Sequence, residues 1–317
     1  MADGFGVDDL ETSGLAGGAV GERDGTVWYL AEDEVDRALG PALALARQRS
    51  ADQLHLLVDG DAGLVARLAS YFADPPRVWR VEGRSLESAV PRAPSSPPPV
   101  PDDLDEQIAV LRAAGCDVIV EHGVVTGEAM GLEVARILDD ELGRRVEVGV
   151  GAHDREAFQM LHGDRPTVEA LADVVGTVRA HRSHGAEPHP LNRLRAERWL
   201  RALVMAAPDS VGADHLDPLP PPEPQTDLRA RTPAAAIGVD PGGRPLVAVC
   251  SVGIDVDLVP QAADARALVG DDAELVVVVP ARDAHPLTGD LVGRLTSPAR
   301  IVALPGDWRS LGAAAAR

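Results

Sequence analysis

The chain has 317 residues, 45% of them hydrophobic but only 3% aromatic, which is long enough for two or three units with aliphatic cores. Its formal net charge is −20, a field that repels a free polyanion and argues against tight non-specific binding of DNA or RNA. All thirty basic residues are arginine, which excludes a Walker A phosphate loop, a pyridoxal imine and a lysine-assisted nuclease centre in their usual forms, because arginine supplies charge but is effectively never deprotonated.

Residues 1–24 open with "MADGFGVDDLETSG", acidic where a secretory signal is basic and then apolar. No apolar run approaches the roughly 18 residues needed to span a bilayer, and Cys116 and Cys250 are too few and too distant for a disulfide framework. A cytoplasmic protein without membrane association is expected. The glycines of "GLAGGAVG" lack the GxGxxG spacing and follow no predicted strand, so residues 1–24 are expected to form a flexible leader.

Residues 25–90 read strand, helix, strand, helix, strand, and residues 234–317 repeat that order. The fragments "LVARLA" and "LVGRLT" fall at matching places, and the middle strands "LHLLV" and "LVVVVP" are continuous apolar runs, as in parallel strands covered on both faces. Each is expected to be a small open α/β unit, the two related by duplication. Such units often hold phosphate where the first strand meets its helix. Here that junction is acidic, "LAEDEVD" in one copy and "SVGIDVD" in the other, which suits a solvated helix start, or a cation or arginine site, rather than a nucleotide. The proline-rich segments 91–102 and 217–233 are expected to be extended linkers.

Residues 103–207 form the middle unit. A helix with Asp102, Asp103 or Asp105 as its cap is followed by the strand "DVIVEHG", the strands "MGLEVARIL" and "RRVEVGVG" around "DDELG", and a helix in "PTVEALADVVGTVRAHR". Alternation places Glu133 with Ala135 and Ile137 on one face, and Glu147 with Gly149 on one face of the next strand. With Leu138 opposite Arg144, the two glutamates become diagonal neighbours about 7–8 Å apart at the backbone, near enough to share a divalent ion. The plainer alternative is the solvent side of a half-buried hairpin. His153 and Asp154 follow closely and would add a ligand or base, or cap a helix; Glu121 and His122 end the first strand and are further candidates.

Helix, meander and helix, with an acid in the second strand and "E-V-x" in the third, resembles the PD-(D/E)XK nuclease core of the restriction-endonuclease-like superfamily, which includes Holliday-junction resolvases and tRNA-splicing endonucleases. The resemblance covers roughly 70 residues. It implies Glu106 as the helix acid, Glu133 as the strand acid, and Glu147 and Val148 before Gly149, which stands where the family has lysine. It further implies an Mg²⁺- or Mn²⁺-dependent hydrolase with Glu133 and Glu147 as metal ligands and His153 beside them, or a degenerate relative that binds without cutting.

One stretch, residues 178–201, is locally basic, with six arginines and three histidines against Glu187 and Glu197. At helical spacing Ala196, Trp199, Leu200 and Leu203 share one face, while Arg195, Arg198 and Arg201 spread over the other and form the natural surface for phosphate. The sequence thus implies an α/β protein with duplicated small open units flanking a central α+β nuclease-like unit. Two functions fit it: a nucleic-acid-associated protein contacting DNA or RNA through residues 178–201, or a non-catalytic scaffold or small-ligand sensor built on the duplicated units. Either accommodates a homodimer or a protein partner.

Overall fold

The computed structural model describes residues 11–15, 17–141, 143–150, 167–225 and 231–311. The fold is α/β, with three sheets. The described chain forms two compact units: one from residues up to Pro94 with Ile254–Leu275 and Ala284–Ile301, the other from Ser95–Gly253, Val276–Asp283 and the residues from Val302 onward.

The first unit holds a six-stranded sheet in sequential order, β1 (Glu11–Leu15), β2 (Gly18–Arg23), β3 (Thr26–Ala31), β4 (Gln53–Val58), β5 (Arg77–Glu82) and β6 (Ser85–Ser88). Strands β3, β4 and β5 are parallel, whereas β1, β2 and β6 pair antiparallel with their neighbours. Glu11–Leu15 and Gly18–Arg23 therefore form two strands where a flexible leader was expected. The turn that admits them is Asp24–Gly25, both at positive φ (49° and 75°), the conformation a two-residue hairpin demands and Asp-Gly supplies. Helices α1 (Leu39–Gln48) and α2 (Ala62–Ala69) connect the parallel strands. Leu43, Leu56 and Val65 are fully buried among them, each contributing roughly 1.5–3 kcal/mol by leaving water.

Two more helices, α6 (Leu258–Ala267) and α7 (Pro286–Gly293), belong to the same unit, and α6 packs on both α1 and α2. Polar contacts fix this packing. Arg67 forks onto Asp264 at 2.9 and 3.0 Å, and Tyr71 donates to the same carboxylate at 2.8 Å. Helix α1 has no side-chain cap of its own; its Gly40 N–H donates to Asp257 at 2.8 Å, satisfying one of the orphan donors of a first turn. Arg37 reaches Asp255 at 2.8 Å and Asp257 at 3.7 Å. The acidic strand–helix edge "IDVD" thus receives an arginine.

In the second unit, α3 (Asp105–Ala113) and α4 (Thr167–His181) cover one face of a four-stranded antiparallel sheet, order β10–β9–β8–β7. Leu111, Val134, Ala135, Leu171 and Val175 form its core. The strands are β7 (Asp117–Glu121), β8 (Val124–Ala129), β9 (Leu132–Asp140) and β10 (Gly143–Val148), so the expected three-stranded meander has four members. The addition is β8, "VVTGEA", bounded by the two-residue turns His122–Gly123 and Met130–Gly131, all four at positive φ.

Helix α5 (Ala196–Ala206) packs Trp199, Leu200, Leu203 and Val204 against Ala236, Leu246, Ala248 and Val278. Those residues belong to a five-stranded sheet, order β11 (His215–Leu219), β12 (Ala234–Val239), β13 (Pro245–Cys250), β14 (Glu274–Pro280) and β15 (Ala299–Leu304). An antiparallel β11–β12–β13 run is followed by crossovers through α6 and α7, the order seen in β1–β2–β3, α1, β4, α2 and β5. The likeness of element order therefore extends to the antiparallel strands that precede the crossovers. The proline-rich segments are tied down where they are described. Ser95 donates to Glu223 at 2.8 Å, and the His122 ring bonds the Pro221 carbonyl at 2.9 Å; β11 takes up Asp217–Leu219.

Candidate functional site

Cross-strand pairing places a polar row on the face of the four-stranded sheet opposite α3 and α4. Asp117 lies opposite Glu128 and Glu128 opposite Glu133; one rung along, Thr126 faces Arg136 and Arg136 faces Glu147. Glu133 and Glu147 do share this face, but by a different register from the one expected. Leu138 pairs with Arg145, not Arg144, so Glu147 meets Arg136 rather than Ala135. A bulge in the β8–β9 pairing leaves Val134 unmatched. The extra residue turns Glu133 and Arg136, three apart, to the same side.

That placement decides their chemistry. Arg136 forks onto Glu133 with both bonds at 2.9 Å. Arg145 bonds Glu147 at 2.9 Å and Asp140 at 2.6 and 3.0 Å. Each glutamate is therefore matched by a guanidinium, which relieves the repulsion a carboxylate pair would otherwise create. His153 and Asp154 lie outside the described residues.

The most buried part of the face is Glu128, 2% exposed. Arg198 donates to it and to Glu121 at 2.5 Å each; Arg201 donates to Glu128 at 3.1 Å and stands 3.6 Å from Glu121. Burial raises the Glu128 carboxyl, but Arg201 and Arg198 together outweigh that and hold it below the ordinary carboxylate range. Burial lowers the Arg198 guanidinium, yet Glu128 and Glu121 reverse the balance and raise it. Asp117, an exposed residue at the edge of the row, is raised by partial desolvation of its carboxyl and then by the nearby Glu128. The centre is a closed set of opposed charges.

Local backbone geometry brings these groups together. Gly131, in the β8–β9 turn, has φ 73°, and a Cβ there would stand 2.2 Å from the Arg198 carbonyl oxygen. Turn and helix start therefore touch backbone to backbone, which only glycine permits. Arg182, itself 1% exposed, donates to the carbonyls of Met130 and Leu191 at 2.8 Å and to that of Leu194, and lies 5.3 Å from the Trp199 ring centroid. Burial pulls its guanidinium down to about 10. Arg195, in a left-handed conformation before α5, donates to the Gln225 side chain at 2.7 Å.

The arginine side of α5, expected to meet phosphate, is thus turned inward. Arg195 and Arg201 are buried and Arg198 is partly so; of the six arginines in residues 178–201, Arg179 and Arg193 are exposed. Glu128 escaped the sequence reading because β8 did, and with it the acid opposite Asp117; the signal available was the arginine surplus of residues 178–201, which needed a buried acid to receive it. The donor set, as arranged, does not suit a divalent ion: no three His, Cys, Asp or Glu side chains among the described residues come together to hold a metal, and the carboxylates that approach one another are bridged by guanidinium groups. No helix among the described residues is long and apolar enough to cross a membrane. Comparison with protein-family models, with curated proteins and with solved structures finds no match for this chain.

Proposed function

We propose that the protein is a non-catalytic scaffold whose middle unit is a non-cleaving relative of the PD-(D/E)XK nucleases, with guanidinium groups on its sheet-face carboxylates and Gly149 where the family has lysine. The observation that carries this reading is the Arg198/Arg201 bridge across Glu121 and Glu128. A divalent ion would have to displace guanidinium groups that already bridge these carboxylates, and an arginine left behind would be a buried, unpaired charge. Water activation needs a bound metal or a group able to take a proton; guanidinium is neither. Turned inward, the same arginines are unavailable to phosphate, which favours recognition of another kind of partner over nucleic acid.

A metal-dependent nuclease is the second reading, favoured by Glu133 and Glu147 sharing one half-exposed sheet face. Titration of Mg²⁺ and Mn²⁺ against the wild type and Glu133→Gln/Glu147→Gln, following thermal stability and cleavage of branched and single-stranded DNA, separates the two. The scaffold predicts no cleavage and no cation-dependent stabilisation in either protein. Cleavage that the double variant loses would establish the nuclease and overturn the scaffold.

A further inference from the structure

The two halves of the repeat differ at one place. Aligning "LVARLA" of α2 with "LVGRLT" of α7 makes Arg67 equivalent to Arg294, Ala62 to Gly289 and Ala66 to Gly293. Helix α2 packs directly against α6, where Arg67 finds its carboxylate in Asp264. Between α7 and α1, by contrast, lies an open cavity of about 850 Å³, and Arg294 lines it. That size falls within the range of small-molecule sites.

Four charged side chains on the cavity wall, Arg77, Arg294, Asp52 and Asp74, have no hydrogen-bond or ion-pair partner among the described residues, while Arg47 and Asp290 pair with each other. Two cations and two anions share one cavity without neutralising one another. The floor between them is apolar, from Leu43, Leu54 and Pro76. Gly289 and Gly293 stand one turn apart on the α7 wall. Neither has a positive φ, and a Cβ at either would meet nothing within 4 Å. Packing and backbone conformation therefore do not demand glycine there, and glycine is the poorest helix former after proline. What the two glycines do provide is room.

We propose that this cavity binds a small zwitterion, an aliphatic α-amino acid, with its carboxylate on Arg294 and Arg77, its amine towards Asp52 and Asp74, and its side chain on the apolar floor. A guanidinium fork suits a carboxylate, as Arg67 and Asp264 demonstrate within the same unit. The unpaired aspartates repel a dianion, and an amine satisfies them. This site belongs to the first unit and stands whether or not the middle unit proves to be a nuclease.

The test is isothermal titration calorimetry of the full chain with L-leucine, 4-methylpentanoate (no amine), isoamylamine (no carboxylate) and inorganic phosphate. Leucine should bind, each singly charged analogue at least tenfold more weakly, and phosphate not at all. Arg294→Gln should weaken leucine at least tenfold. Gly289→Ala/Gly293→Ala, which installs the residues of the other half, should crowd the α7 wall and weaken binding while raising the melting temperature, so that weakened binding is not mistaken for lost folding. Absence of leucine binding, leucine binding unchanged in both variants, or preference for phosphate or for either analogue would overturn the proposal.

Discussion

Replacing Glu128 by glutamine tests whether the closed charge set holds the middle unit together. The side chain keeps its shape but loses its charge, and its new amide N–H₂ is brought against a guanidinium, donor facing donor. Arg201, whose side chain is 3% exposed, would then keep Glu121 at 3.6 Å as its remaining carboxylate. Breaking a buried pair by removing one partner costs about 3–5 kcal/mol. For a unit of this size each kcal/mol shifts the melting temperature by about 2–4 °C, giving a fall of roughly 6–20 °C. Calorimetry and urea unfolding would read it. Because Glu128 is held below its ordinary range, its contribution is present above the unfolded-state value and is lost as pH falls through the depressed folded-state value. The variant should therefore differ from wild type most at neutral pH and least in strong acid. Glu128→Met/Arg201→Met, which removes both charges and leaves Arg198 on Glu121, should lose less than the single variant. A single-variant loss below about 1 kcal/mol, the scale of an exposed ion pair, would refute the claim that this network is structural.

Gly131→Ala should destabilise by at least about 2 kcal/mol, since the added carbon meets both an unfavourable φ and the Arg198 carbonyl; urea unfolding checks it, and a neutral result would mean that turn and helix do not touch. Arg182→Met should cost about 2–3 kcal/mol by taking the guanidinium donor from the part-buried Met130 and Leu194 carbonyls, Leu191 keeping the Leu194 N–H, with the loss visible in near-ultraviolet dichroism of Trp199. Asp257 is pushed up to about 7, chiefly by burial, against the pull of Gly40 and Arg37. A raised folded-state value means that the native state holds more protons, so this group's contribution is greatest below the unfolded-state value and declines as pH rises from about 4 to 7. Asp257→Asn should flatten that slope in thermal melts of the first unit, and an unchanged slope would exclude Asp257 as its source.

The α/β order of the outer segments was legible because strands buried on both faces need apolar residues on both, and "LHLLV" and "LVVVVP" have them. Its leading hairpin was less so: β1 and β2 carry Gly14, Gly18 and Gly21, which read as leader until the Asp24–Gly25 turn is seen between paired strands. Strand β8 was hidden for a similar reason. Thr126, Gly127 and Glu128 interrupt its apolar pattern, and its flanking turns use His-Gly and Met-Gly rather than Asn-Gly. The shared face of Glu133 and Glu147 was anticipated, but its cause was not, because a one-residue register change and a bulge leave no trace in hydrophobic alternation. The inward turn of Arg198 and Arg201 was illegible without β8, since the acid that receives them lies on it.

The first unit takes its helices from distant parts of the sequence. Arg67 waits for Asp264, 197 residues later, and Gly40 waits for Asp257, 217 residues later. At a synthesis rate of 5–20 residues per second that interval lasts roughly 10–40 s. Throughout it, the six-stranded sheet with α1 and α2 has emerged from the ribosome without α6, while the four-stranded sheet, whose pairings are all between sequence neighbours, can close behind it. Vectorial synthesis therefore orders assembly against the order of the sequence: the four-stranded sheet can close before the six-stranded sheet receives its last helices. Truncated products ending before Ile254 would carry a bare helical surface into the cell, a target for chaperones and proteases that the finished chain no longer offers.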